Sequence, residues 1–221
     1  MNIFKSLITA ILLVFTASAS ASIVTFNFAE EANGNEAGHQ PYMVTKSGLT
    51  LTARGYYDTA EGVGTATYTE KWAYLDHDNA DNAGLGVCHT GLTNASTCTV
   101  ASDDNVTSYE ILYLNFGRDV KVESLYLRDG DHRSFSSDFM LSTTSMSSGY
   151  TQYNHEADEA LYTSLVSDEF WFKTIAGDLD QSEVFYINKM VVDMPEPGPL
   201  ALLAFSLIGL LLARSRSVKA V

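Results

Sequence analysis

Short runs in which apolar and polar residues alternate set the strongest limit on what this chain can fold into. In the first run, residues 23–28, the side chains of Val24, Phe26 and Phe28 fall on one face of an extended chain. Alternation with period two is typical of a β-strand that is buried on one face only. The runs of this kind are 23–28, 49–53, 65–74, 110–116, 120–127, 138–142, 160–166, 169–175 and 183–192.

Turn-forming residues separate these runs at the spacing of an all-β sandwich. The turns are clusters of Gly, Asn, Asp and Ser, and residues 154–161 are only a weak candidate for a helix. The sequence therefore predicts an all-β fold made of a single antiparallel β-sandwich.

The first 21 residues have the composition of a secretory signal peptide. Lys5 precedes an apolar run over residues 7–15, and small residues follow over 17–21. A helix of that length spans only about 15 Å, half of a bilayer core, which favours a removed leader over a permanent anchor. The alternative is a buried N-terminal helix of the folded domain. We expect cleavage after Ala21 or Ala19 and export of the domain that follows, residues 22–193.

An apolar segment near the end of the sequence is followed at once by cations. Pro199 ends any helix that enters from upstream, and residues 200–213 are apolar except for one serine and one glycine. We expect a transmembrane helix over about 199–213, with Arg214 and Arg216 on the cytoplasmic side and the domain outside. Roughly fifteen apolar residues cover about 22 Å, against a hydrocarbon core of about 30 Å, so the helix would be a marginal permanent anchor.

Pro195, Glu196 and Pro197, followed by the apolar helix and the arginine-rich end, resemble the PEP-CTERM sorting signal of Gram-negative bacteria. The resemblance covers residues 194–221. It implies that an exosortase, a membrane-embedded enzyme similar to cysteine transpeptidases, recognises the Pro-Glu-Pro element and processes the protein near it. Each proline fixes φ and restrains the residue before it, which makes the element rigid and extended. The alternative is an ordinary tail anchor.

The formal charge of the exported segment, residues 22–193, is −17. The chain has 13 basic and 27 acidic residues, and these fall to 9 and 26 when the leader and the tail are set aside. A surface this negative repels phosphate backbones, which disfavours nucleic-acid binding. Calcium and neutral glycans are compatible partners.

The two cysteines, Cys88 and Cys98, enclose a short polar loop in a segment that we expect to be exported, where oxidation is available. A local disulfide is the simplest interpretation. A zinc site would need further ligands, and a redox pair is normally closer in sequence.

The densest acidic stretch flanks the two cysteines, and its carboxylates are candidate calcium ligands. They are Asp76, Asp78, Asp81, Asp103 and Asp104. Calcium takes six to eight oxygens, often from flexible loops, but the spacing is not that of an EF-hand. The alternative is a set of solvated turns capped by Asp and Asn. A second acidic turn, residues 128–132, is expected to be a tight strand connection.

Motifs of catalysis are missing from the sequence. The five histidines lack the H-E-x-x-H spacing, and neither a G-x-S-x-G elbow nor a Gly-rich phosphate loop is present. Two carboxylates suffice for glycoside hydrolysis, so a secreted glycan hydrolase is an alternative, but no pair stands out. We therefore expect a protein that is not an enzyme.

Aromatic side chains on the predicted strands are candidate platforms for sugars. They are Tyr56, Tyr57, Tyr68, Trp72, Tyr74, Tyr150, Tyr153 and Trp171. Most aromatics on strands belong instead to the core or to cross-strand pairs, and we expect the same here.

The segments AGLGVC and SDDNVTSYEILYLNF are similar to the domain found upstream of many PEP-CTERM tails, with the likeness covering residues 84–135. It implies a secreted β-sandwich of the jelly-roll or galactose-binding kind. Proteins with this domain mostly lack an assigned activity, so the resemblance supports the fold and the destination more than a mechanism. From the leader, the Pro-Glu-Pro tail, the acidity and the missing catalytic motifs we expect an exported surface or extracellular-matrix protein. We expect it to be transiently anchored in the inner membrane and associated with exopolysaccharide or biofilm matrix. The alternative is a calcium-dependent carbohydrate-binding module.

Overall fold

Thirteen β-strands and one short helix are present in the part of the chain that the computed structural model describes, residues 22–33, 36–61, 65–77, 84–93, 97–98, 104–157, 159–175, 180 and 182–194. The strands are β1 (Ser22–Asn27), β2 (Ala37–His39), β3 (Tyr42–Lys46), β4 (Leu49–Asp58), β5 (Tyr68–Leu75), β6 (Leu85–Cys88), β7 (Leu92–Thr93), β8 (Thr97–Cys98), β9 (Glu110–Asp129), β10 (Asp138–Ser142), β11 (Thr151–Asn154), β12 (Val166–Thr174) and β13 (Phe185–Met194). The helix α1 (Phe28–Ala32) directly follows β1.

Eleven of these strands form one sheet, in the hydrogen-bonded order β1-β13-β6-β5-β4-β9-β12-β10-β11, with β2 added on β5 and β3 on β4. Strand β13 also pairs with β9, so β9, β4, β5, β6 and β13 form a closed ring. The ladders among strands β2–β6 and β9–β13 of this sheet are antiparallel. The predicted all-β fold is confirmed, and its sheet is barrel- or sandwich-like.

Strand β9 connects the two halves of the sheet because it is 20 residues long. Its first part, up to Asn115, pairs with β4, and its second part, from Lys121 on, pairs with β13. Between the two parts Gly117 has a φ of 66°, and residues 117–119 are exposed and bulge away from β12. The sequence predicted two strands, 110–116 and 120–127. They are one strand because the ladder to β12 resumes after the bulge.

The core of the compact unit Ile23–Met194 is rich in phenylalanines from different strands. Phe116 of β9 lies 5.9 Å from Phe170 of β12, measured between ring centroids. Phe185 of β13 lies 5.5 Å from Phe135 and 5.7 Å from Phe139 of β10. Each such aromatic pair contributes about 0.5–1.5 kcal/mol beyond the burial of its area.

Two predicted elements are absent from the described residues. In the run 160–166, predicted to be a strand, Leu161 forms only an isolated bridge with Leu125, and β12 begins at Val166. The weak helix predicted over 154–161 is not formed by the residues described there. The backbone amide of His155 instead donates to Ser137 O at 3.1 Å, which holds this segment against the end of β10.

One helix was missed by the pattern. The first alternating run includes Phe28, but β1 ends at Asn27, whose side chain accepts a hydrogen bond from the Glu30 amide at 3.3 Å. An asparagine in that position is a favoured helix N-cap. Phe28 and Ala32 are buried, so the helix continues the core rather than leaving it.

The predicted disulfide is confirmed. Cys88 of β6 is bonded to Cys98 of β8, with the Cα atoms 5.9 Å apart. Both cysteines are buried against Tyr74, and Trp72 and Leu92 pack on this small cluster. The disulfide therefore holds the β7–β8 hairpin against the main sheet.

Candidate functional site

Asp76 and Asp104, two of the five predicted calcium ligands, are both buried. Asp76 follows β5, and its backbone amide donates to Gly84 O at 2.9 Å, which closes the connection to β6. The residues are only 4% and 6% exposed, respectively. Aspartates are rarely buried unless they are paired, so each of these carboxylates needs a partner.

Asp104 reaches this position because the neighbouring strand carries a glycine. A Cβ placed on Gly86 would lie 2.1 Å from Asp104 O, so any other residue would push the two backbones apart. The Val87 amide also donates to Asn105 O at 3.4 Å, which joins the 104–105 segment to β6. The Gly-Leu-Gly sequence thus brings the second aspartate close to the sheet.

Each aspartate has a hydrogen-bond partner from a distant part of the sequence. The Tyr186 hydroxyl donates to Asp104 Oδ1 at 2.6 Å, and Asp76 Oδ2 lies 2.7 Å from His132 Nε2. The rings of His132 and Tyr186 are 5.4 Å apart. We call Asp76, Asp104, His132 and Tyr186 the aspartate cluster.

The acidic turn after β9 positions the histidine of this cluster. Asp129 Oδ1 accepts hydrogen bonds from the amides of Asp131 and Arg133, at 3.0 and 2.8 Å, and the His132 amide donates to Asp129 O. His132 has a φ of 63°, a left-handed conformation that this network supports. The chain then returns to β9 through a bridge between Arg128 and Ser134. The expected tight strand connection is therefore present, and it also directs an imidazole to Asp76.

The electrostatics of the cluster are those of two acids held close together. Burial and the Asp76 charge raise the pKa of Asp104 to about 7, against the opposing effects of the Tyr186 hydrogen bond and the His132 charge. Burial raises the pKa of Tyr186 above its usual range, and the charges of Asp104 and Asp76 act in the same direction. Removing water from a carboxylate beside another carboxylate favours a proton or a cation at the site.

The described residues supply only part of a calcium site. Calcium needs six to eight oxygen ligands, and Asp76 and Asp104 each already have one carboxylate oxygen in a hydrogen bond. Within the described ranges no group of three or more His, Cys, Asp or Glu residues is arranged to hold a metal ion. Asp78, Asp81 and Asp103 lie outside the described residues. The five-residue calcium site therefore stays a prediction.

Sequence reasoning found the two aspartates but not their partners. Asp76 and Asp104 stand out through the local density of acidic residues, whereas His132 and Tyr186 are 56 and 82 residues away from the groups that they contact. Tyr186 also breaks the alternation of β13, because Phe185, Tyr186 and Ile187 are all buried. The only local signal was the acidic turn around His132.

Most candidate sugar platforms are engaged within the protein, as expected for aromatics on strands. Tyr74 and Trp171 are buried, and Tyr57 stacks on His89 with the ring centroids 4.2 Å apart. Tyr153 stacks on Phe139 at 5.8 Å, and Tyr56 meets the edge of Tyr113 at 6.3 Å. Trp72 packs against the disulfide cluster.

Of the last two candidates, Tyr68 and Tyr150, the second is also engaged within the protein, because its hydroxyl donates to Met146 O at 3.0 Å. Both are half-buried near Lys173, whose ammonium lies 4.0 Å from the centroid of the Tyr150 ring. Of these two, Tyr68 lines a cleft together with Lys173.

The predicted leader, residues 1–21, and the predicted sorting residues Pro195, Glu196, Pro197, Arg214 and Arg216 lie outside the described residues. Among the residues that are described, none of the helices is long and apolar enough to cross a membrane.

Comparison of the chain with protein-family models, with curated proteins and with solved structures found no match.

Proposed function

We propose that this chain is an exported surface or extracellular-matrix protein of the PEP-CTERM type, sorted by an exosortase through its C-terminal signal. The observation that carries the proposal is the order of features in residues 194–221, namely Pro195-Glu196-Pro197, an apolar segment and then Arg214 and Arg216. This order, together with a leader of the secretory type over residues 1–21, supports export through the inner membrane with the tail end in the cytoplasm.

The exported domain, residues 22–193, acts by binding polysaccharide of the matrix and not by catalysis. Its formal charge of −17 favours uncharged partners over nucleic acids and polyanions. A buried disulfide joining β6 to β8 is the kind of bond that persists in oxidising compartments outside the cytosol. The antiparallel ladders among strands β2–β6 and β9–β13 support the finer assignment of a jelly-roll or galactose-binding sandwich.

Cell fractionation tests the sorting step. We expect the wild-type chain in the outer surface and medium fractions of the native host, and a variant carrying Pro195→Ala, Glu196→Ala and Pro197→Ala in the inner membrane. Pro199→Ala is the matched control, because it removes a proline from the same segment without touching the three recognised residues. Identical distribution of the wild type and the triple variant would refute recognition by an exosortase.

A calcium-dependent carbohydrate-binding module is the second candidate function. The observation that favours it is the burial of both Asp76 and Asp104, with the charge of Asp76 raising the pKa of Asp104. When calcium is bound, it supplies two positive charges that offset those carboxylates, with Asp78, Asp81 and Asp103 as the predicted further ligands.

Thermal unfolding with calcium and with chelator tests the second candidate. A cation that binds only the folded state stabilises that state by about 2.7 kcal/mol when its free concentration is 100 times its Kd. The melting temperature is therefore expected to rise on addition of calcium. Asp104→Asn removes one ligand and one charge, and the rise is expected to disappear in that variant. No change for the wild type at saturating calcium would exclude the calcium site.

A further inference from the structure

A cleft at one end of the sheet lies away from the aspartate cluster, and its wall comes from five neighbouring strands. Asp58 ends β4, Tyr68 begins β5, and Glu110 begins β9 beside them in the ladder. Lys173 near the end of β12 lies opposite Met140 of β10. Antiparallel order brings these strand ends to one edge, where they enclose about 240 Å³.

Three charged side chains line this cleft, namely Asp58, Glu110 and Lys173. Both carboxylate oxygens of Glu110 are engaged within the protein, one with the His89 ring and the other with Thr107. Lys173 has no hydrogen bond or ion pair with any described residue; its ammonium instead lies over the Tyr150 ring. Burial lowers the pKa of Lys173, and the charge of nearby Asp58 opposes that effect. Asp58 is 7% exposed, and its Oδ1 accepts hydrogen bonds from the amides of Ala60 and Thr67 at 3.0 and 2.9 Å. The donors of a half-buried ammonium are therefore left for a ligand, next to a fixed carboxylate.

Tyr109, which lines the same cleft, is held in a strained conformation by its neighbours. Its φ is 65°, a left-handed value that is rare for a bulky residue. The Asp58 amide donates to Tyr109 O at 2.8 Å, and buried Glu110 accepts hydrogen bonds from the amide and the hydroxyl of Thr107 at 2.7 and 2.8 Å. Strained residues that the surroundings hold in place occur preferentially at binding sites. The Tyr109 ring is preorganised at the cleft, and Glu110 is a positioning residue.

The chemistry of the wall excludes several classes of ligand. Asp58 and the net charge of −17 on the domain repel an anion, while Lys173 repels a cation. A purely apolar ligand would leave the ammonium of Lys173 buried without a hydrogen bond, which is unfavourable. A polyhydroxylated neutral ligand satisfies both Asp58 and Lys173, since one hydroxyl donates to the carboxylate and another accepts from the ammonium.

We propose that this cleft binds one neutral pyranose residue of a glycan. The Tyr68 and Tyr109 rings and Ile175, which is 38% exposed at the rim, contact the apolar face of the sugar, and Asp58 and Lys173 bind adjacent hydroxyls. The volume is below the 300–1,000 Å³ or so of sites for larger ligands, which fits a single sugar unit of a longer chain. This inference rests on the proposed association with polysaccharide and names the site and the sugar class.

Ligand-observed NMR on the full chain tests the inference. The probes are the methyl glycosides of glucose, galactose and mannose, with methyl glucuronide as the acidic probe. We expect at least one neutral glycoside to show saturation transfer with a Kd of about 1–10 mM, which is weak binding for a single sugar. Transfer to none of the three neutral glycosides, or tighter binding of the glucuronide, would overturn the proposal.

Two variants locate the binding, and one serves as the matched control. Lys173→Met keeps the length of the side chain and removes the ammonium, and Tyr109→Ala removes the ring, so each is expected to weaken binding about tenfold or more. Lys189→Met is the control, because the Lys189 ammonium also lies over a tyrosine ring, Tyr126 at 3.8 Å, but outside the cleft. Melting curves verify that each variant is folded. Equal affinity of Lys173→Met and Lys189→Met would refute the assigned site.

Co-sedimentation with polysaccharide of the native host separates this inference from the proposed function. If the folded variants Lys173→Met and Tyr109→Ala co-sediment as well as the wild type, the cleft is not the sugar-binding site, but the association with polysaccharide is still supported. Binding of methyl glycosides by a wild type that does not co-sediment would refute the association and leave the cleft standing.

Discussion

Replacing Asp104 by asparagine is expected to stabilise the folded chain at neutral and alkaline pH. The substitution removes the charge that is unfavourable in the aspartate cluster while keeping an oxygen that accepts the hydrogen bond from Tyr186. Burial and the Asp76 charge raise the pKa of Asp104 from 3.8 to about 7 in the folded chain. Moving a pKa across about three pH units corresponds to roughly 4 kcal/mol, because each unit is worth 1.36 kcal/mol.

The sign of the effect follows from the direction of that shift. Below about pH 4 the carboxyl is protonated in both folded and unfolded chains, so it contributes no pH dependence. As the pH rises from about 4 to about 7, the Asp104 carboxyl loses its proton in the unfolded chain but keeps it in the folded chain, so the free energy of unfolding of the wild type falls. Above about pH 7 the carboxyl is ionised in both states, and the free energy of unfolding falls no further. Asp104→Asn lacks this loss, and its amide NH₂ group costs part of the gain, so we expect a net gain of about 2 kcal/mol or more at pH 8.

Urea unfolding of both chains at pH 4, 5, 6, 7 and 8, in the presence of chelator, measures the difference. At pH 4 the variant should be less stable than the wild type by the cost of the amide group, and the difference should shift in favour of the variant as the pH rises to about 7. Asp131→Asn is the control, since Asp131 carries the same charge in the turn next to His132 but its side chain is 47% exposed. A difference between Asp104→Asn and the wild type that does not change with pH, or a variant less stable at pH 8, would refute the argument.

Three further substitutions test the packing around the site. Tyr186→Phe leaves Asp104 without its 2.6 Å donor, so we expect a loss of about 1–3 kcal/mol at pH 8 in urea unfolding, and no loss there would contradict the assigned hydrogen bond. Gly86→Ala places a Cβ 2.1 Å from Asp104 O and is expected to destabilise the fold more than the control Gly48→Ala. At Gly48 φ is 79° but no atom lies within 4 Å of the added Cβ, so the cost there is about 1–2 kcal/mol. Equal melting temperatures of the two variants would refute the close approach of the backbones at Gly86. Joint replacement of Cys88 and Cys98 by serine opens a loop with a sequence separation of 10, so we expect a loss of about 2–3 kcal/mol, and reducing agent should lower the stability of the wild type but not of the variant.

The strands that could be read from the sequence are those with one buried face. Leu49–Asp58 alternates along much of its length, and Asp138–Ser142 was predicted at the observed bounds. Strand Leu85–Cys88 was not predicted, because all four of its residues are buried and no alternation remains. Periodicity cannot report a strand that is covered on both faces.

Contacts between distant segments limited the prediction of the site. The density of acidic residues in the sequence indicated Asp76 and Asp104, but each of them forms its hydrogen bond with a residue more than 50 positions away. The cleft has the same origin, since Asp58, Tyr109 and Lys173 meet only because antiparallel pairing brings the ends of separate strands together. Local sequence patterns carry no information on contacts between distant segments. The disulfide could be predicted because only a short loop separates Cys88 from Cys98.

The intact mass of the protein recovered from the outer surface and medium of the native host distinguishes sorting by an exosortase from permanent anchoring. We expect a chain that begins at Ser22 or Ser20 and has lost the residues after about Pro197, including the apolar segment and both arginines. A mass that retains the whole tail would contradict sorting by an exosortase and would make the segment an ordinary membrane anchor.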